Sequence, residues 1–358
     1  MDSRVITLRY KLRFLTPAFL GNALQSAQWR TPPFKALLRQ WWRVAYAADQ
    51  AQHLNLAAMR QAEGQLFGVA ADRESDSRRS QLRLRLSQWT IGKQRDWTGL
   101  DAQRVTHPEV KNREGKPAPV GAHLYLGYGP LEFRDRQTAL KRSAAIQSGE
   151  EAVWSLAFPA NGDARRLHRA LWLLQHYGTV GGRSRNGWGS FSLTPADANT
   201  PALDGPLDRA LTLPWRDALQ QDWPQAIGTD ADAALIWQTE ALPNWQLVMR
   251  RLAEIKIGLR TQFRFPAARA DGQIHDRHWL SYPVTNHAVK DWGNNARLPN
   301  SLRFKVRADT DGKLRGVVFH VPCLPPPAFR PDRAAIVAVW QQVHHHLDAE
   351  ARLQRIPA

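Results

Sequence analysis

The sequence predicts an α+β protein of two domains, on three observations. Its 358 residues exceed what one hydrophobic core commonly serves. Segments of strict apolar–polar alternation are interleaved with segments of helical spacing. A proline-, alanine- and aspartate-rich stretch of little periodicity, PADANTPALDGPLDRALTLP at 195–214, separates two such sets. The expected domains are therefore residues 1–200 and 201–358.

The first set opens with RVITLRYKLRFL at 4–15. Ile6, Leu8, Tyr10, Leu12 and Phe14 alternate with Val5, Thr7, Arg9, Lys11 and Arg13, the pattern of a half-buried strand whose polar face is basic. A helix is expected next, over 29–46. Thr31 is a candidate cap, and Pro32 and Pro33 suit its first turn. Phe34, Leu37, Leu38, Trp41, Trp42 and Ala45 form its apolar stripe. Lys35, Arg39 and Arg43 stand at i, i+4 and i+8 beside it, and no acidic residue lies between Trp29 and Tyr46. With Arg30, these cations are candidates for anion binding; the competing reading is a core helix with a basic exposed face.

Residues 63–68 read as a helix end and 72–80 as a mobile charged loop. Residues 81–89 (QLRLRLSQW) alternate again, with arginines on one face, and 92–118 read as a long polar loop. Short strands are expected at 123–128 and 152–158. Residues 163–177 form an amphipathic helix burying Leu167, Leu171, Trp172 and Leu174, with Arg165, Arg166 and Arg169 outward. A strand is expected over 188–193. Strand, helix, strands, helix, strand is the order of a ferredoxin-like (RRM-like) sandwich with loop insertions. The second set has a strand at 233–239, a helix at 245–258, strands at 301–307 and 314–321 joined by Asp309-Thr-Asp-Gly312, a proline-rich break and a helix over 332–354.

Between the helix ending at Tyr177 and the strand after it lies GTVGGRSRNGWGSF (178–191), with five glycines, two arginines and a tryptophan in fourteen residues. Glycines permit positive φ and let amides line up toward an anion. Arg183 and Arg185 can clamp neighbouring phosphates, and Trp188 is placed either to stack on a base or to join the core. Gly181, Gly182, Arg183, Ser184, Arg185, Asn186, Gly187 and Trp188 are the candidate site. The order is neither that of a nucleotide P-loop nor, lying after a helix and before a strand, that of a dinucleotide fingerprint.

Composition points the same way. The formal net charge is +17, and 39 of the 49 basic residues are arginine, which suits bidentate phosphate contacts and stacking. A GC-rich genome explains the arginine-to-lysine ratio but not the surplus of charge, so the expected partner is nucleic acid. Cys323 is the only cysteine, which excludes an internal disulfide and a thiolate zinc cluster and suits a reducing cytoplasm. No apolar run reaches membrane-spanning length, and the start lacks the core of a signal peptide, so neither membrane insertion nor export is expected.

Catalytic and metal-ligand patterns are weak. His275, His278 and His287 lie on a loop without a carboxylate pattern, and His344, His345 and His346 point in different directions on one helix. His107 and His123, assigned to the first domain, remain as acid and base candidates on RNA. No cofactor or metal is expected, and no enzymatic activity.

Several of these segments resemble a known family. They are Leu15-Thr-Pro-Ala-Phe-Leu-Gly21, the 29–43 segment with Lys35 and Leu38-Arg-Gln-Trp-Trp-Arg43, Glu63 with Leu66-Phe67-Gly68, and Gly181-Gly-Arg-Ser-Arg-Asn-Gly-Trp-Gly189. Together they resemble the RAMP superfamily of CRISPR proteins and, more narrowly, the first-subunit family of the Cmr (type III-B) RNA-targeting effector. Residues 277–283 and 297–305 resemble that family's second half. Ala36 and Gln40 depart from its usual residues without removing a positive charge. The resemblance implies two ferredoxin-like domains in a multisubunit ribonucleoprotein. It implies guide RNA, target RNA and neighbouring RAMP subunits as partners, and a role in capping the filament near the guide's 3′ end rather than in cutting. Stray tryptophans such as Trp237, Trp245 and Trp292 are candidates for the subunit interface. The alternative is a metal-independent RNA endonuclease of the same superfamily; a protein-only scaffold is a third class.

Overall fold

The structure, a computed structural model, describes residues 5–50, 54–70, 77–100, 102–160, 163–266, 269–293, 295–350 and 352–356. The loop expected over 72–80 lies outside them for residues 72–76. The chain divides into two compact units whose sequences interleave. One comprises Met1–Thr98, Gly127–Leu211 and Lys305–Ala308; the other comprises Gly99–Leu126, Thr212–Phe304 and Asp309–Ala358. This differs from a single cut after residue 200, because an insertion in the first half belongs to the second unit.

In the first unit the strand Val5–Phe14 is followed by the helices Thr31–Ala48 and Leu56–Phe67, then the strands Arg83–Leu86 and Glu151–Pro159, the helix Ala164–Tyr177 and the strand Phe191–Pro195. Numbered in that order, the four strands lie 2-3-1-4 across an antiparallel sheet. Alternation decides the faces. Leu8, Tyr10, Leu12 and Phe14 are buried, and Arg9, Lys11 and Arg13 are exposed. Phe34 joins helix to sheet, with its ring centroid 6.4 Å from Phe14, 5.8 Å from Trp154 and 5.9 Å from Phe191. The first long helix begins at Thr31, so Arg30 and not Thr31 is its N-cap, without a side-chain capping bond. The second begins on Asp163, whose carboxylate accepts the Arg166 amide at 3.3 Å.

The second unit repeats this connectivity. Ile236–Thr239, the helix Trp245–Thr261, the strands Leu302–Ala308 (whose residues from Lys305 on count with the first unit) and Leu314–His320, the helix Arg333–Ala349 and the strand Leu353–Arg355 again place four strands in the order 2-3-1-4. The last strand was not expected; the terminal helix stops short of it. Trp237, Trp245 and Trp292 are buried inside this unit, so their rings serve packing rather than an exposed subunit interface.

Two local expectations are corrected, and one hairpin was not foreseen. The polar stretch from 92 on contains the paired strands Arg104–Lys111 and Pro117–Gly121, in which Pro108, Pro117 and Pro119 disguise the alternation. The expected strand at 123–128 is a helix, Ala122–Gly127, too short at six residues to show a helical period. A hairpin, Leu131–Arg134 with Gln137–Leu140, turns at Asp135 and Arg136, both at positive φ without the usual glycine.

Candidate nucleic-acid interface

The glycine-rich segment closes tightly onto the first strand's exit. Gly178 ends the helix, and its amide donates to the Leu174 carbonyl at 2.9 Å. The amides of Gly182 and Gly189 donate to the carbonyls of Phe19 and Pro17, each at 2.9 Å, and those of Asn186 and Gly187 close turns on the carbonyls of Arg183 and Ser184 at 2.9 and 3.1 Å. These four amides are therefore engaged within the chain, which corrects the expectation of an open amide nest along the whole segment. The glycines serve close backbone approach instead. A Cβ on Gly181, at φ +97°, would lie 2.8 Å from the Phe19 carbonyl oxygen, and one on Gly189, at φ +66°, would collide with the Val180 carbonyl.

Trp188 is fully buried, 5.4 Å from Phe19 and 5.6 Å from Trp97 by ring centroids. Its ring belongs to the core and has no face for a nucleobase. Arg183, itself at φ +57°, is exposed; its Nε donates to the Tyr128 carbonyl at 2.5 Å, and burial lowers its pKa somewhat without removing its charge. Ser184, Arg185 and Asn186 are half-buried in the turn. Arg30 plays a similar bracing part, donating from Nη1 to the Gly21 carbonyl at 2.8 Å.

The helical basic row is also altered by a partner from outside its own segment. Glu63, only 3% exposed, accepts Arg39 Nε at 2.6 Å and Arg43 Nε at 2.7 Å on one oxygen, and Arg43 Nη2 at 3.1 Å on the other. Burial pushes this carboxyl up, and the bonds and charges of the two arginines more than reverse that, so it stays ionised below the usual carboxylate range. Lys35 has no ion pair with a described carboxylate; burial and then Arg39 lower its pKa. The row is thus in large part an internal ion cluster.

What the loop does border is a cavity of about 300 Å³ lined by Gly182, Phe19, Gly21, Gly129, Lys141 and Arg142 among others. Arg30 holds one wall through Gly21, and Arg183 holds another through Tyr128, the neighbour of Gly129. Leu140, Lys141 and Arg142 also line a second cavity of about 550 Å³, with Arg95, Arg134 and a single acid, Asp96. Tyr128 and Phe133 stand nearby in sequence, 65% and 62% exposed. Sequence reading missed Lys141 and Arg142. Their only signal was a basic pair directly after a hairpin, which alternation did not reveal.

The remaining candidates lie in the second unit, where His107, His123 and His278 are buried and His275 and His287 half-buried. His107, 6% exposed, has its ring centroid 5.6 Å from Tyr125, and its Nδ1 accepts the Glu109 amide at 3.2 Å; burial lowers its pKa. His123 is fully buried with its ring centroid 5.0 Å from Trp245. Both had been assigned to the first domain. His278 is buried and donates to the His287 carbonyl at 3.0 Å, His287 stacks on Phe265 at 3.6 Å, and His275 pairs with Asp271. Among the described residues no group of three or more His, Cys, Asp or Glu is placed to hold a metal ion, and no helix is long and apolar enough to cross a membrane.

The family model of the RAMP superfamily matches residues 11–192, just over half of the chain. The fold is similar to Cmr1 from Pyrococcus furiosus in its apo form, at 16% identity and a TM-score of 0.43, covering 88% of this chain and 87% of that one. A chain of the type III-B Cmr-beta complex bound to cognate target RNA is similar at 10% identity and a TM-score of 0.46, covering 95% of this chain and all of that one. No curated protein sequence matches the chain.

Proposed function

We propose that this chain, which belongs to the RAMP superfamily, is a non-catalytic RNA-binding subunit of a type III-B CRISPR effector. The two units, with their shared 2-3-1-4 strand order, are read as two ferredoxin-like (RRM-like) domains. In the assembly the subunit caps the filament at the guide RNA 3′ end, engages target RNA and adjoins other RAMP subunits.

One observation carries the reading: the glycine segment forms a braced rim beside the cationic cavity of Lys141 and Arg142. The two cations neutralise phosphates there, with Arg183 at the rim. Gly182 leaves the wall without a side chain, so a backbone can come close. Stacking passes from the buried Trp188 to the exposed Tyr128 and Phe133. Such contacts are sequence-tolerant and strongly salt-dependent. The enclosure of His107 and His123 supports binding over cleavage.

The test is titration of labelled single-stranded RNA in EDTA. The wild type shifts the RNA and leaves it intact, and Lys141→Ala with Arg142→Ala lowers the slope of log K against log salt by about 1.4, at about 0.7 per lost phosphate contact on a single strand. Specific cleavage abolished by substituting His107 or His123 establishes the endonuclease instead, and an absence of RNA binding leaves only a scaffold.

A further inference from the structure

Two basic segments stand apart from the glycine-loop site: the alternating cations of the first strand and those of the strand at 83–86. The register unites them. Arg9 and Arg85 are both paired to Ser155, and Thr7 and Arg83 to Ala157, so the central strand runs between the two basic ones. Lys11 is opposite Val153 and Arg13 opposite Glu151. All these residues share the face of the sheet opposite to the buried Leu8, Tyr10, Leu12 and Phe14.

That face has the form of a trough. Its floor is the side-chain row Val153, Ser155 and Ala157, small and half-buried. One wall is Arg9, Lys11 and Arg13; the other is Arg83 and Arg85, and all five cations are exposed. With strands about 4.8 Å apart, the walls stand roughly 10 Å from each other. The three cations on one strand span about 14 Å, enough to meet more than one phosphate of an extended strand. Glu151 is the only acid on these rows, bonded to Lys11 at 3.1 Å and Arg13 at 3.3 Å. Arg9, Arg83 and Arg85 have no ion pair with any described carboxylate. No aromatic ring lies on the floor or walls, so the surface offers charge and width without a stacking platform.

We infer that the helix-free face of the first sheet is a second RNA track, gripping the phosphate backbone of a single strand between two arginine-bearing walls. It reads no bases. Its polarity of charge is graded, with Arg9, Arg83 and Arg85 at the uncompensated end and Lys11 and Arg13 shared with Glu151. The inference rests on RNA being the ligand of this chain, and it adds to the cavity at the glycine segment.

The full-length chain tests it, with a fluorescein-labelled oligouridine followed by anisotropy across a salt series. Arg9→Ala, Arg83→Ala and Arg85→Ala together are expected to lower the slope of log K against log salt by about 2, three contacts at about 0.7 each. Oligoadenosine and oligouridine should be affected alike. The substituted side chains are exposed, and an unchanged urea midpoint confirms folding. A slope equal to that of the wild type overturns the track, and loss of co-assembly with neighbouring subunits in that same variant reassigns the face to protein contact. If the wild type binds no RNA at all, the proposed function fails first. Measured together, the Lys141/Arg142 and Arg9/Arg83/Arg85 variants should lower the slope additively; complete loss by the former alone, with no contribution from the latter, also overturns the second track.

Discussion

The buried Glu63 carboxylate grips Arg43 with both oxygens, at 2.7 Å to Nε and 3.1 Å to Nη2. The same carboxylate holds Arg39 at 2.6 Å, so one acid on the helix Leu56–Phe67 orders two cations of the preceding helix.

Removing that acid leaves two crowded guanidiniums. Glu63→Gln is expected to lower unfolding stability by about 1–3 kcal/mol, toward the low end for buried ion pairs because the arginine side chains are 43% and 37% exposed. Urea denaturation measures it. A variant as stable as the wild type would show that the cluster is replaceable by water.

Gly189 supports a sharper expectation. Gly189→Ala places a Cβ against the Val180 carbonyl at positive φ, whereas Gly293→Ala, at φ +69°, meets no atom within 4 Å. The control should lose about 1 kcal/mol, and Gly189→Ala distinctly more. Equal melting temperatures would show that the glycine segment yields easily.

Lys305 is fully buried, and its Nζ donates to the carbonyls of Leu174 and Gln175 at 3.0 and 2.6 Å, at the end of the helix that leads into the glycine segment. Lys305→Met removes both bonds at similar volume. Faster hydrogen exchange at Gly178 and Val180, with weaker RNA binding, is expected; protection as in the wild type would show that the helix end holds itself.

Three histidines set the acid limit. Burial lowers His176 and His344 to about 3 and holds His320 well below its ordinary value, and His344 and His320 share a bond of 2.8 Å. The unfolded chain then binds more protons than the native one below about pH 6.5. Their contribution is complete above that pH and falls as pH drops toward 3, by up to about 1.4 kcal/mol per unit for each histidine. Urea midpoints from pH 7.5 to 4.5 measure the decline. Replacing His176 by Asn should flatten it; an unchanged profile would place the acid limit elsewhere.

Local periodicity alone determined most of the regular elements: the first strand, the tryptophan helix, the helices starting at Asp163 and Asn244 and the hairpin through Gly312. In each, the buried stripe lies within one segment. Glycine content likewise marked 178–191 as a place of close approach, and the net charge of +17 raised the expectation of a polyanionic partner. Tertiary structure decided what each cation is for. Arg39 and Arg43 meet Glu63, Arg166 and Arg169 meet Asp49, and Arg169 also meets Asp208, all acids outside the segments that carry those arginines; only Asp163, paired with Arg166, lies within one. Lys141 and Arg142 gained a cavity, and Arg9 and Arg85 a common floor, only through strand register. The reason is physical: periodicity acts between residues a few positions apart, whereas ion pairing, burial and cavities depend on groups that only folding brings within a few ångströms.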